Sequence, residues 1–146
     1  MHKKWCPPPL NSIKTNFDGA MFDEPNEAGL RVIVHNSAGE VMATLSENIK
    51  KPPSVMTLEL LAARRAAIFV HESGFHLPSF EGDFEIVINS LRSNGMENSL
   101  AGHIIKDAMS YVSLLQSFSF SHVVRQSNAI AHTLAQRTIL SFPLQV

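Results

Sequence analysis

Cysteine is nearly missing from this chain: Cys6 is the one thiol in 146 residues. An intramolecular disulfide and a zinc site built on cysteines are thereby excluded, and a reducing compartment fits. Long apolar runs are missing too. No stretch approaches the roughly 20 residues that a membrane helix needs, and Met1-His2-Lys3-Lys4-Trp5-Cys6-Pro7 lacks the apolar core of a secretion signal. A soluble, intracellular protein is expected, with nothing to choose between nucleus and cytoplasm. Charge of either sign is not in excess: 12 Lys and Arg stand against 13 Asp and Glu, a formal net charge of -1. Neutralising phosphates supplies most nonspecific affinity for nucleic acid. Strong binding by bulk charge is therefore excluded, and any grip on a polyanion must be local or borrowed from a partner. There is no internal repeat, and no low-complexity run beyond Pro7-Pro8-Pro9.

What is there suffices for one core, since 45% of the residues are hydrophobic and the chain is too short for two ordinary domains. The proline run favours a stiff, extended segment, so residues 1–11 are expected as a tail or linker and 12–142 as the domain. Three β-rich runs follow: Ile13 to Ala20, Gly29 to Asn36 and Glu40 to Ile49. Their short polar connections, Asp23-Glu24-Pro25-Asn26 and Asn36-Ser37-Ala38-Gly39, predict an antiparallel meander. After Lys51-Pro52-Pro53-Ser54, the positions Leu58, Leu61, Ala62, Ala66, Phe69 and Val70 recur at helical spacing. A helix is predicted from about Val55 to Ser73, capped by Gly74. Then come a strand (Leu77 to Gly82), a short helix (Phe84 to Ser93), a longer helix (Leu100 to Gln116), a strand (Ser117 to Val124) and a last helix from about Ser127 to Leu140. This order predicts an α/β sandwich on a mixed sheet.

Three acids stand out against that frame. Asp18 falls inside a strand, where Asp is disfavoured. Glu59 lies in the first turns of the long helix. Asp83 follows a strand at its carboxyl end, where α/β folds place their sites. Each alone has an ordinary reading: Asp18 as a turn former before Gly19, Glu59 as a solvated or dipole-complementing helix residue, Asp83 as a helix N-cap. Jointly they can face one cleft, and three carboxylates can hold a divalent metal.

The chain resembles the RNase H type 1 domain, in the plant RNase H-like branch of stand-alone proteins and non-LTR retroelement reverse transcriptases. The resembling residues are Trp5 with Pro7-Pro8, Lys14-Thr15-Asn16-Phe17-Asp18-Gly19-Ala20, Ala28-Gly29, Ser37 with Gly39, Leu58-Glu59-Leu60-Leu61-Ala62-Ala63, Glu81-Gly82-Asp83, and Arg125-Gln126-Ser127-Asn128-Ala129-Ile130-Ala131-His132-Thr133-Leu134-Ala135. They span about residues 5–140. The resemblance implies an RNase H-like fold with a five-stranded mixed sheet, three antiparallel strands then two parallel, flanked by helices. It implies hydrolysis of the RNA strand of RNA/DNA hybrids with two ions, Mg2+ or Mn2+, in which Asp18 bridges both and Glu59 and Asp83 bind the ion on the leaving-group side. Gly19, Arg125 and Asn128 are the expected substrate contacts, with Asn128 as a cap of the final helix the equal alternative. No membrane is implicated, and a monomer is expected.

The chain departs from the family pattern in two places. His132 stands where many members carry a fourth carboxylate, and neutral imidazole is a poorer Mg2+ ligand. Activity is therefore expected to be weak, with His132 positioning a water or packing ahead of binding Mn2+ as its expected role. Arg125 stands where many members carry a His, and can hold phosphate but not shuttle a proton. Between Asp83 and the last strand only Arg92 and Lys106 are basic, so the hybrid-gripping basic insertion of some members is missing. Two other readings stay open on these grounds: a nucleic-acid-binding or interaction module that kept the fold and lost the chemistry, and a retroelement-derived fragment. His35, His103 and His122 have no partner pattern, and of Arg64 and Arg65 only one can face a given cleft.

Overall fold

Ile13, Thr15 and Phe17 alternate with Lys14, Asn16 and Asp18 along β1 (Ile13–Met21), and all but Asp18 are buried. Burial of successive residues means that both faces of the strand are covered, as befits the centre of a sheet. In the computed structural model, which describes residues 12–24, 26–75, 78–93, 100–115 and 118–129, β1 pairs antiparallel with β2 (Glu27–His35), which pairs antiparallel with β3 (Val41–Lys50). On its other side β1 pairs parallel with β4 (Pro78–Gly82), and β4 with β5 (Ser119–His122). The order is β3-β2-β1-β4-β5, the expected mixed five-stranded sheet.

The long helix, α1 (Val55–Ser73), has the bounds its periodicity predicts. The Ser54 hydroxyl accepts from the Thr57 backbone N–H at 3.1 Å and starts it. Gly74, with φ 71°, ends it in a left-handed conformation that favours glycine. Leu58, Leu60, Ala62, Ala63, Ala66, Phe69 and Val70 are all buried. α2 (Glu85–Ser93) and α3 (Leu100–Val112) complete the helical cover, with Val87, Ile88, Leu91, Ile104, Ile105 and Ala108 joining Phe17, Phe80 and α1 in one core. Burying side chains of the size of Leu58 or Phe80 contributes roughly 1.5–3 kcal/mol each.

Boundaries shift where local hydrogen bonding overrides pattern. α3 stops at Val112 rather than Gln116, because residues 113–115 turn, with Leu115 N–H bonding back to Val112 O at 3.0 Å. β5 covers only the four residues that pair with β4, Ser119 to His122. The last helix begins at 125, ahead of the expected Ser127, since the Ser127 and Asn128 amides both donate to Val124 O. The expected tail (1–11), the loop at Asn94-Gly95, the rest of the last helix and His132 lie outside the described residues.

Candidate active site

The parallel register between β1 and β4 runs through Asn16↔Glu81. Two residues on lie Asp18, within β1, and Asp83, just past the end of β4, so the period of two sets these acids side by side above Asn16 and Glu81. α1 supplies the third acid. Leu58 packs against Gly19 so closely that a Cβ there would sit 2.6 Å from Leu58 Cγ, and this contact sets Glu59 beside β1. One oxygen each of Asp18, Glu59 and Asp83 lie within 4.8 Å of one another. They line an open cleft of about 580 Å³ with Gly19, Arg31, Arg125 and Ala129. The three expected acids are thus brought together.

Their charges are poorly tolerated as they stand. Glu59 is only 4% exposed, and its Oε2 has no hydrogen-bond partner among the described residues. Burial, then the neighbouring charges of Asp18 and Asp83, push its carboxyl up to about 8, while the Gly19 amide and Arg125 pull it back. Asp83 is raised too, by burial first and Asp18 second, against the opposing effects of Asn128, Arg125 and His122. A buried carboxylate oxygen with no donor, facing two further carboxylates, fits an all-oxygen site for a hard divalent cation. Mg2+ or Mn2+ matches that donor set.

Asp18 is the best-held member. Its Oδ1 accepts from the Gly19 amide at 2.9 Å, and its Oδ2 from Arg31 Nη2 at 2.9 Å. Gly19 therefore serves the acids through its backbone as well as giving α1 room to approach. Arg125 is exposed at the cleft. Asn128 is 1% exposed, and its side chain faces inward. It neither caps the final helix, which begins at 125, nor reaches solvent: its Nδ2 donates to Phe17 O at 3.1 Å and to Asp83 Oδ2 at 3.3 Å. Its Oδ1 accepts from Asn16 Nδ2 at 2.9 Å. In this structure Asn128 holds Asp83 from beneath.

Sequence reasoning missed Asn16, Glu81, Lys14 and Arg31. Asn16 Nδ2 also donates to Glu81 Oε1 at 3.2 Å, and Lys14 Nζ lies 3.1 Å from Glu81 Oε2, a buried polar network under the acids. The polar residues at 14, 16 and 18, two apart in a strand that is otherwise buried, were the available signal. Arg31 is found only through the β1/β2 register, where it is the direct partner of Asp18. Arg64 and Arg65 form ion pairs away from the cleft, Arg64 with Asp107 and Arg65 with Glu47 and Glu72. His103 and His122 are exposed and His35 is buried.

A three-stranded meander continued by two parallel strands, with an acid on β1, on α1 and after β4, is an RNase H-like fold. Residues 16–138 match the family described as reverse transcriptase-like, and the chain belongs to that family. Solved structures with this fold include RNase H1 of the archaeon Halobacterium salinarum, at TM-score 0.73 and 21% identity over 89% of this chain and 98% of that one. The N-terminal RNase H domain of rv2228c from Mycobacterium tuberculosis aligns at TM-score 0.72 and 16% identity, covering 89% and 94%. LC11-RNase H1, isolated from compost by a metagenomic approach and solved in complex with an RNA/DNA hybrid, aligns at TM-score 0.71 and 18% identity, covering 84% and 93%. No match was found among curated protein sequences.

Proposed function

We propose that this chain is a metal-dependent endoribonuclease that hydrolyses the RNA strand of RNA/DNA hybrids. The observation that carries the reading is the convergence of Asp18, Glu59 and Asp83 within 4.8 Å, with Glu59 Oε2 buried and unpartnered among the described residues. Membership of the reverse transcriptase-like family supports it, as does a fold shared with a protein solved on an RNA/DNA hybrid.

Asp18, Glu59 and Asp83 would hold Mg2+ or Mn2+. A bound ion of this kind activates a water and stabilises the charge that develops on a departing 3′-oxygen. The chain's own residues do the rest. The Gly19 amide orients Asp18, and Asn128 orients Asp83. Arg125 is placed to pair with a phosphate of the substrate, which suits its bidentate guanidinium. Choice of hybrid over duplex DNA would come from 2′-hydroxyl contacts and groove shape. His132, in place of a fourth carboxylate, sets the activity low in Mg2+. A monomer working inside the cell fits the composition, and among the described residues no helix is long and apolar enough to cross a membrane.

The test is cleavage of an end-labelled hybrid by purified protein in Mg2+ and in Mn2+, beside Asp18→Asn and Asp83→Asn. Cleavage that both substitutions abolish supports the nuclease. Hybrid bound but uncut in both metals, by folded protein, would leave a binding module in its place.

A further inference from the structure

Arg31 faces Asp18 across the β1/β2 pair, in direct register. Directly opposed residues share a face of the sheet with their Cβ atoms about 5 Å apart, so this contact is built into the pairing. The resulting hydrogen bond is charge-assisted and 2.9 Å long. It occupies Oδ2 of Asp18, while Oδ1 accepts from the Gly19 amide. The Asp18 side chain is 16% exposed and that of Arg31 41%, so the guanidinium sits at the open edge of the cleft that Arg31 helps to line. Its Nε is buried and has no hydrogen-bond partner among the described residues. The pair is therefore monodentate and leaves one donor unsatisfied, a contact that can be broken in exchange for a better acceptor.

We propose that Arg31 is a resident cation of the acidic cleft, competing with divalent metal for Asp18 and so setting the metal affinity of the site. The inference rests on the metal-site reading above and deepens it. Three carboxylates within 4.8 Å repel one another, and a fixed positive charge on one of them offsets part of that repulsion without an ion. The same charge repels an incoming divalent cation, and its hydrogen bond draws electron density from Asp18 Oδ2 that an ion would otherwise share. A substrate phosphate offers the guanidinium two oxygens in place of one, so polyanion binding would draw Arg31 off Asp18 and ease metal entry.

The experiment is calorimetric titration of the full chain with Mn2+ alone, comparing the parent protein with Arg31→Gln, Arg31→Lys and Asp18→Asn, each checked for folding by thermal melt. Arg31→Gln keeps a side chain of polar character and intermediate length, and is expected to tighten Mn2+ binding roughly tenfold or more by removing one positive charge. Arg31→Lys keeps the charge and should stay within about threefold of the parent. Equal or weaker Mn2+ binding by folded Arg31→Gln would overturn the proposal and leave the metal site standing. No Mn2+ binding by any variant would overturn both. Tighter binding by Arg31→Gln in a protein that cuts no hybrid would uphold the role of Arg31 and sink the nuclease.

Discussion

Asn128 ties Asp83 to the middle of the sheet, its Nδ2 shared between Asp83 Oδ2 at 3.3 Å and the carbonyl of Phe17 at 3.1 Å. An acid that follows the last residue of a strand is thereby held by the neighbouring strand's backbone. Replacing Asn128 with Ala frees Asp83 and removes one of the two acceptors of the Asn16 amide, leaving it Glu81. Partners behind a ligand are commonly worth about 10–100-fold in metal affinity or activity, and that loss is expected for Mn2+ binding and for hybrid cleavage. Stability should fall by about 1–3 kcal/mol. Titration calorimetry and denaturant melts on the variant check both.

Metal-free stability should fall as pH rises. Glu59 titrates at about 8 in the folded chain, against an ordinary 4.5. Between those values the folded protein retains a proton that the unfolded chain has lost, so stability is full below the lower value and is lost progressively up to the higher. Asp83 shifts in the same direction and adds to the effect. For Glu59 alone the loss over that whole interval is on the order of 5 kcal/mol. Thermal melts in chelator at about pH 5 and about pH 8.5 should show it, and Glu59→Gln should flatten most of the dependence. Saturating Mn2+ should also oppose the decline, because an ion favours the deprotonated acids.

Gly19→Ala tests the close approach of α1 to β1. The added methyl would lie 2.6 Å from Leu58 Cγ and 3.0 Å from both Leu58 Cδ atoms, so the helix or the strand must move. Overpacking of this kind costs about 1–3 kcal/mol. Because Glu59 follows Leu58 directly, Mn2+ affinity should fall along with stability.

Arg125→Ala should weaken hybrid binding and lower the slope of log affinity against log salt by about 1, the signature of one lost phosphate contact. Arg125 also holds the carboxyls of Glu59 and Asp83 down. Its removal should move the acid limb of the cleavage profile to higher pH. A salt titration and a pH series on the same variant separate the two effects.

His132→Asp should raise cleavage in Mg2+ more than in Mn2+, since carboxylate is the better ligand for the harder ion. Rates in the two metals, compared with the parent protein, are the measurement.

Strand and helix placement was legible wherever one period dominated. α1 could be read to the residue because its apolar stripe is bracketed by Ser54 and Gly74, a cap at each end. β5 and the end of α3 were less legible: Phe118 and Phe120 alternate, but pairing with β4 reaches only 119–122. Asp18, Glu59 and Asp83 were legible because acids inside or abutting apolar elements need a reason. Arg31 was not, since its meaning lies in a register that side-chain pattern alone does not set. The tie from Asn128 to Asp83 was not legible either, because a solvent-facing helix turn and one buried against a sheet share the same local sequence.

The parallel β1/β4 pairing joins residues 65 apart in the chain, as in Asn16 to Glu81. Meander and first helix, residues 13–73, are local and can form early, yet they contain only two of the three acids. Asp83 arrives after the long crossover closes, and Asn128, from 112 residues beyond Asn16, arrives later still. Long-range parallel pairing is slow compared with hairpins and helices. A metal site built from all three acids is therefore expected late in folding, and the appearance of Mn2+ binding during refolding would time the closure of the sheet.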